Sequence, residues 1–91
     1  MTISESFLQE KLLKSFPGAT FTDVQDISGG CGQSYKVLIV SVEFEGKKLL
    51  EKHRLVNDRL KDEISQLHAF SQETFTPEQY EVWKSKNQNQ L

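Results

Sequence analysis

Ile3, Phe7, Leu8, Leu12 and Phe16 recur at helical spacing until Phe16-Pro17-Gly18 stops the run. A first amphipathic helix is therefore predicted, opened by Thr2 with Glu5 three residues on in the manner of a capping box. Residues 19–27 hold Phe21, Val24 and Ile27 in imperfect alternation and read as an edge-like strand. Residues 35–44 are dense in β-branched and aromatic side chains at successive positions, as in a strand paired centrally or covered on both sides. Leu49, His53, Val56, Leu60, Ile64 and Leu67 then step by threes and fours, which predicts one long second helix with charges on its other face. Residues 69–75, with Phe70 and Phe75, read as a third strand. Thr76-Pro77-Glu78-Gln79 supplies an N-cap, a proline at the first helical position and a glutamine at the third, and Tyr80 and Trp83 share a face of the short helix that follows. The order α-β-β-α-β-α predicts an α+β fold, a three-stranded sheet with helices on one side. Residues 1–86 are expected to form a single domain and 87–91 a frayed polar tail.

Composition narrows the function classes. At 91 residues the chain has room for one core, and 36% hydrophobic residues are enough to build it. Eleven Lys plus Arg against thirteen Asp plus Glu leave a net charge of −2, which lacks the positive field of a dedicated nucleic-acid binder. The single cysteine, Cys31, cannot close an internal disulfide, which fits a reducing compartment. No apolar run approaches the roughly 20 residues that span a bilayer. Residues 1–10 carry two glutamates and no arginine, unlike a transit peptide, and lack the apolar stretch of a secretory signal, so cytosol or nucleus is expected.

Three side chains can act as soft or borderline ligands or as nucleophiles: Cys31, His53 and His68. Cys31 lies in Ser28-Gly29-Gly30-Cys31-Gly32-Gln33-Ser34, a glycine-rich loop that leaves it exposed, and no flanking Lys, Arg or His activates its thiol. With no base or orienting acid to place beside it, a catalytic role is not expected. His53 falls on the apolar stripe and reads as a packing residue, and His68, at a helix end, reads on its own as a C-cap. A closed zinc site needs four protein ligands, and three such residues without paired spacing cannot supply them. An incomplete site of one thiolate and one imidazole, finished by a partner, remains open. Gly29-Gly30-Cys31-Gly32 fits the G-x-x-G of KH domains but joins strands instead of helices, and Cys31-Gly32-Gln33-Ser34 only superficially matches the C-G-F-S of monothiol glutaredoxins. Between residues 47 and 61, Lys47, Lys48, Lys52, Arg54, Arg59 and Lys61 outnumber Glu51 and Asp58. The ordinary meaning is a solvated helix face. Lys47, Lys52, Arg54 and Arg59 are candidate contacts for an acidic partner or a glutathione carboxylate.

Gly30-Cys31-Gly32-Gln33-Ser34-Tyr35, Val37-Leu38-Ile39-Val40-Ser41, Phe44-Glu45-Gly46-Lys47, Lys52-His53-Arg54-Leu55-Val56-Asn57, Leu67-His68-Ala69-Phe70 and Thr76-Pro77-Glu78-Gln79 occur in an order that resembles the BolA family, from about residue 5 to residue 83. The resemblance implies an αββαβα fold similar to class II KH domains. It also implies a non-enzymatic adaptor that pairs with a monothiol glutaredoxin in a heterodimer and shares a bridging 2Fe-2S cluster, the far side held by the glutaredoxin cysteine and glutathione. By the same resemblance the family's C-terminal histidine falls on His68 as principal ligand, and its loop ligand falls on Cys31. A cysteine at that loop position is similar to the cytosolic and nuclear branch, engaged in cluster trafficking, maturation or iron sensing. Imidazole ligation would make such a cluster more exchangeable and shift its potential, as in Rieske centres. No ligand role carries over to His53. The alternative from another class is a KH-like transcriptional regulator using the basic second helix on DNA, against which the net charge argues. A homodimer of the chain alone stays open.

Overall fold

The structure, a computed structural model, describes residues 3–29 and 32–88, the last two by backbone alone. The elements are α1 (Glu5–Ser15), β1 (Ala19–Asp26), β2 (Ser34–Ser41), a 3-10 turn (Val42–Phe44), α2 (Leu49–Arg59), α3 (Lys61–Ile64), β3 (Ala69–Phe75) and α4 (Pro77–Gln88). None of the described helices is long and apolar enough to cross a membrane. The capping box expected at Thr2 lies outside the described residues. The N-cap of α1 is Ser4, whose hydroxyl oxygen accepts the Phe7 N–H at 3.0 Å. Ile3 just before it and Leu8 in the next turn are both buried, the arrangement of a hydrophobic staple.

The sheet order is β1-β2-β3, with β1 antiparallel to β2 and β3 parallel to β2, so β2 is the central strand and α2 and α3 form the crossover. Tyr35, Val37 and Ile39 alternate onto one face, where they meet Val24, Leu8, Leu12, Phe16, Phe44, Val56 and Leu60 in the core. The opposite face carries the row Phe21, Val40 and Phe75. Here the expectation of helices on one side fails, because α4 packs on this second face. Tyr80 stacks on Phe21 with ring centroids 5.5 Å apart, and Trp83 meets Phe75 at the same 5.5 Å. The apolar character of both faces of β2 required a cover on each.

Three boundaries also differ from expectation. β2 ends at Ser41 instead of Phe44, because the Ser41 hydroxyl accepts the Glu43 N–H at 3.2 Å and caps a 3-10 turn. The single long helix is interrupted at Leu60 (φ −109°, ψ 18°), which separates α2 from α3. α4 runs through Gln88, into the stretch expected to be a tail, while residues 89–91 lie outside the described residues. Its start is as expected, with the Thr76 hydroxyl accepting the Gln79 N–H at 3.2 Å and Gln79 Oε1 accepting the Thr76 N–H at 3.0 Å.

Candidate functional site

The described residues at the two ends of the β1–β2 connection are joined by short-range polar contacts that the sequence invites. Asp26 Oδ1 accepts the Ser28 N–H at 2.8 Å, an Asx turn, and hydrogen bonding from Ser28, side chain first and backbone second, holds the Asp26 carboxyl below its ordinary pKa. Ser28 Oγ accepts the Ser34 N–H at 2.8 Å, and the Ile27 N–H reaches the Ser34 carbonyl at 2.9 Å, so the strands stay paired as they enter the loop. Gly29 and Gly32 form an isolated antiparallel bridge within it.

This loop meets the junction before β3. Gly32 has φ +126°, and a Cβ built on it would lie 3.0 Å from His68 Cβ and 3.5 Å from Cγ, so only glycine fits on both backbone and steric grounds. The Gln33 carbonyl accepts the His68 N–H at 2.7 Å and lies 3.4 Å from the Ala69 nitrogen. His68 itself is exposed, and among the described residues none hydrogen-bonds its ring. It is not a C-cap, because α3 ends at Ile64 and its last carbonyls are taken by Ser65, Gln66 and Leu67. Cys31 lies outside the described residues; its covalent neighbour Gly32 is the residue in contact with His68. Among the described residues no group of three or more His, Cys, Asp and Glu side chains could hold a metal ion, so a metal at His68 needs ligands from beyond them. The exposed imidazole of His68 is a borderline donor, and the glycine beside it leaves no room for a Cβ.

The basic stretch divides in two. Lys52, expected as a partner contact, is only 5% exposed, and its Nζ donates to Gln79 Oε1 at 2.8 Å, which ties α2 to the start of α4. Arg59 is likewise engaged within the fold: it donates to the Ser15 carbonyl at 2.8 Å and to both Glu43 carboxylate oxygens at 3.1 and 2.8 Å. Those bonds hold the Glu43 carboxyl below its ordinary pKa. Lys47 and Arg54 are exposed and line a shallow groove with Glu51, Leu55 and Asp58. His53 is half-buried on α2, in keeping with packing. Sequence reasoning passed over Gly32 and Gln33 as contributors to the site. The signal for Gly32 was present in the run of glycines, but no local rule reveals that Gln33 borders a residue thirty-five positions on.

The family model for BolA-like protein matches residues 18–79. BolA-like protein 2 of Mus musculus is 46% identical over 81 residues, covering 88% of this chain and 93% of the mouse protein. Among solved structures, a Bol-like protein from Babesia bovis superposes with a TM-score of 0.79 at 40% identity and 96% coverage of both chains. Yeast Fra2 gives 0.74 at 38% identity, over 88% of this chain and 86% of that one. The matched span runs from just before β1 into α4 and contains both the glycine loop and His68, so the chain belongs to the BolA-like protein family.

Proposed function

We propose that the protein is a non-enzymatic iron–sulfur adaptor that forms a heterodimer with a monothiol glutaredoxin and shares a bridging 2Fe-2S cluster with it. One observation carries this reading: Gly32 lies directly against His68, which brings the loop bearing Cys31 and the histidine junction to the same exposed end of the sheet. His68 and Cys31 would hold the near side of the cluster, and the glutaredoxin cysteine and glutathione the far side. The cluster supplies exchangeable iron and sulfide with one-electron redox capacity. The chain's own part is to present the imidazole outward on a fixed backbone and to leave the rest of the coordination to the partner. Lys47 and Arg54 are the basic side chains still placed to meet an acidic partner surface or a glutathione carboxylate, since Lys52 and Arg59 have partners inside the fold. The same loss weakens the DNA-binding alternative by removing two cations from its face. We place the activity in the cytosol and nucleus, in cluster trafficking, maturation or iron sensing, with a homodimer as the alternative state of the chain alone.

The test is co-reconstitution with a monothiol glutaredoxin, iron, sulfide and glutathione, followed by visible circular dichroism and native mass, for wild type, His68→Ala and Cys31→Ala. The expected result is a one-to-one heterodimer whose spectrum differs from that of glutaredoxin alone, lost with His68→Ala and weakened with Cys31→Ala. No heterodimer and no spectral change would overturn the proposal, and a salt-dependent shift of labelled DNA would then favour the regulator.

A further inference from the structure

We infer that Gln33 is a positioning residue for His68, and that through it the segment leading into α1 is part of the scaffold of the site. The inference rests on the reading of His68 as a ligand.

Gln33 faces two ways. Its side-chain Oε1 accepts the Ile3 N–H at 2.9 Å, and its Nε2 donates to the Ile3 carbonyl at 2.7 Å, so the amide pairs with the Ile3 backbone as a neighbouring strand would. The Tyr35 hydroxyl donates to the same carbonyl at 2.7 Å. Burial, with help from the Asp26 and Glu5 carboxylates, pushes the Tyr35 hydroxyl above its ordinary pKa and keeps it a donor. Ile3 and Tyr35 are buried in the core, so Gln33 is anchored to a rigid body. On its other side the Gln33 carbonyl holds the His68 N–H at 2.7 Å.

The His68 ring has no hydrogen-bond partner among the described residues, so its placement comes from its backbone and from Gly32 pressed against its Cβ. Whatever fixes the backbone of residues 32 and 33 therefore fixes the point from which the imidazole projects. Metal-site geometry tolerates errors of only about 0.5 Å, which a ligand at the end of a free loop could not meet. Glutamine is the side chain that does this. Asparagine is one methylene short, and glutamate would set an acceptor against the Ile3 carbonyl.

The experiment compares Gln33→Met and Gln33→Glu in the full chain by amide hydrogen exchange, with cluster retention in the glutaredoxin heterodimer as second readout. Val56→Ala, a core truncation on α2, controls for stability. In Gln33→Met the His68 amide exchanges about tenfold faster than in wild type, while Val37 and Ile39 within β2 keep their rates. Gln33→Glu, which keeps the contact to the Ile3 N–H, falls between and covers the case in which Gln33→Met does not fold. The heterodimer of either variant releases its cluster faster than that of Val56→Ala, whatever the order of their melting temperatures. An unchanged His68 amide, acceleration spread equally over β2, or cluster release that simply follows melting temperature would overturn the inference. If His68→Ala retains the cluster, the ligand reading fails instead, and the exchange result stands apart from it.

Discussion

The two ends of β2 are held by opposite means. At its C-terminal end Ser41 is fully buried, the chain turns through Val42–Phe44, and the Phe44 ring packs on Phe16 with centroids 5.7 Å apart. Arg59 closes this end, its guanidinium 4.6 Å from the Phe16 ring centroid while it grips Glu43 and the Ser15 carbonyl. At the N-terminal end the strand is fixed by Ser28, Gln33 and the Tyr35 hydroxyl, all acting on backbone groups, and the histidine beside it is exposed. Apolar packing secures an end by covering its side chains. Hydrogen bonds to backbone secure an end without covering every side chain beside it, and here they leave His68 exposed.

The largest effect is expected from breaking the packed end. Phe44→Ala removes a fully buried aromatic and should destabilise the fold by about 3–5 kcal/mol in urea denaturation. A loss under about 1 kcal/mol would mean that the cavity collapses and that this end is not the anchor. Arg59→Met comes next, with about 1–2 kcal/mol after allowance for solvent, because three hydrogen bonds go and Glu43 loses its partner. Its pH dependence sharpens the point. The Glu43 carboxyl is held low when folded, so its contribution is present above the unfolded value of roughly 4.3 and is lost as pH falls through the lower folded value. Arg59→Met should flatten that acid limb of the stability curve, and an unchanged limb would assign it to other carboxylates.

The same contrast explains what could be read in the sequence. Leu8, Leu12, Phe16 and the doubly apolar β2 were legible because periodic burial leaves a periodic signature. The break at Leu60 was hidden, since the Leu60 N–H still reaches the Val56 carbonyl at 2.9 Å and the Ile64 N–H the Leu60 carbonyl at 2.9 Å, so the apolar spacing carries on across it. The stripe was also misphased at its start. Leu49 is 61% exposed, and the buried line runs through Lys52, Val56 and Leu60, a lysine taking an apolar position with its ammonium donating a hydrogen bond to Gln79 Oε1. Of the site, the glycine loop and His68 could be singled out, but their meeting depends on the parallel pairing of β2 with β3, in which Ser34 lies beside Ala69. Pairing across a crossover is a tertiary fact with no local periodicity to announce it.

The smallest effect tests the polar end most directly. Ser28→Ala removes the acceptor for the Ser34 N–H at the first residue of β2, where Ser34 is buried, and should cost about 0.5–1.5 kcal/mol. The Ser28 backbone N–H still reaches Asp26 Oδ1 in this variant, so the Asp26 carboxyl should titrate closer to its ordinary value without attaining it, as followed by NMR. If the Asp26 titration does not move, the backbone bond alone holds the turn and the hydroxyl serves only β2. A shift together with a mild loss of stability would show one serine fixing both the entry to the loop and the start of the strand. That would place the ordering of the exposed end in a few replaceable hydrogen bonds, where single substitutions can loosen it while the packed end keeps the fold intact.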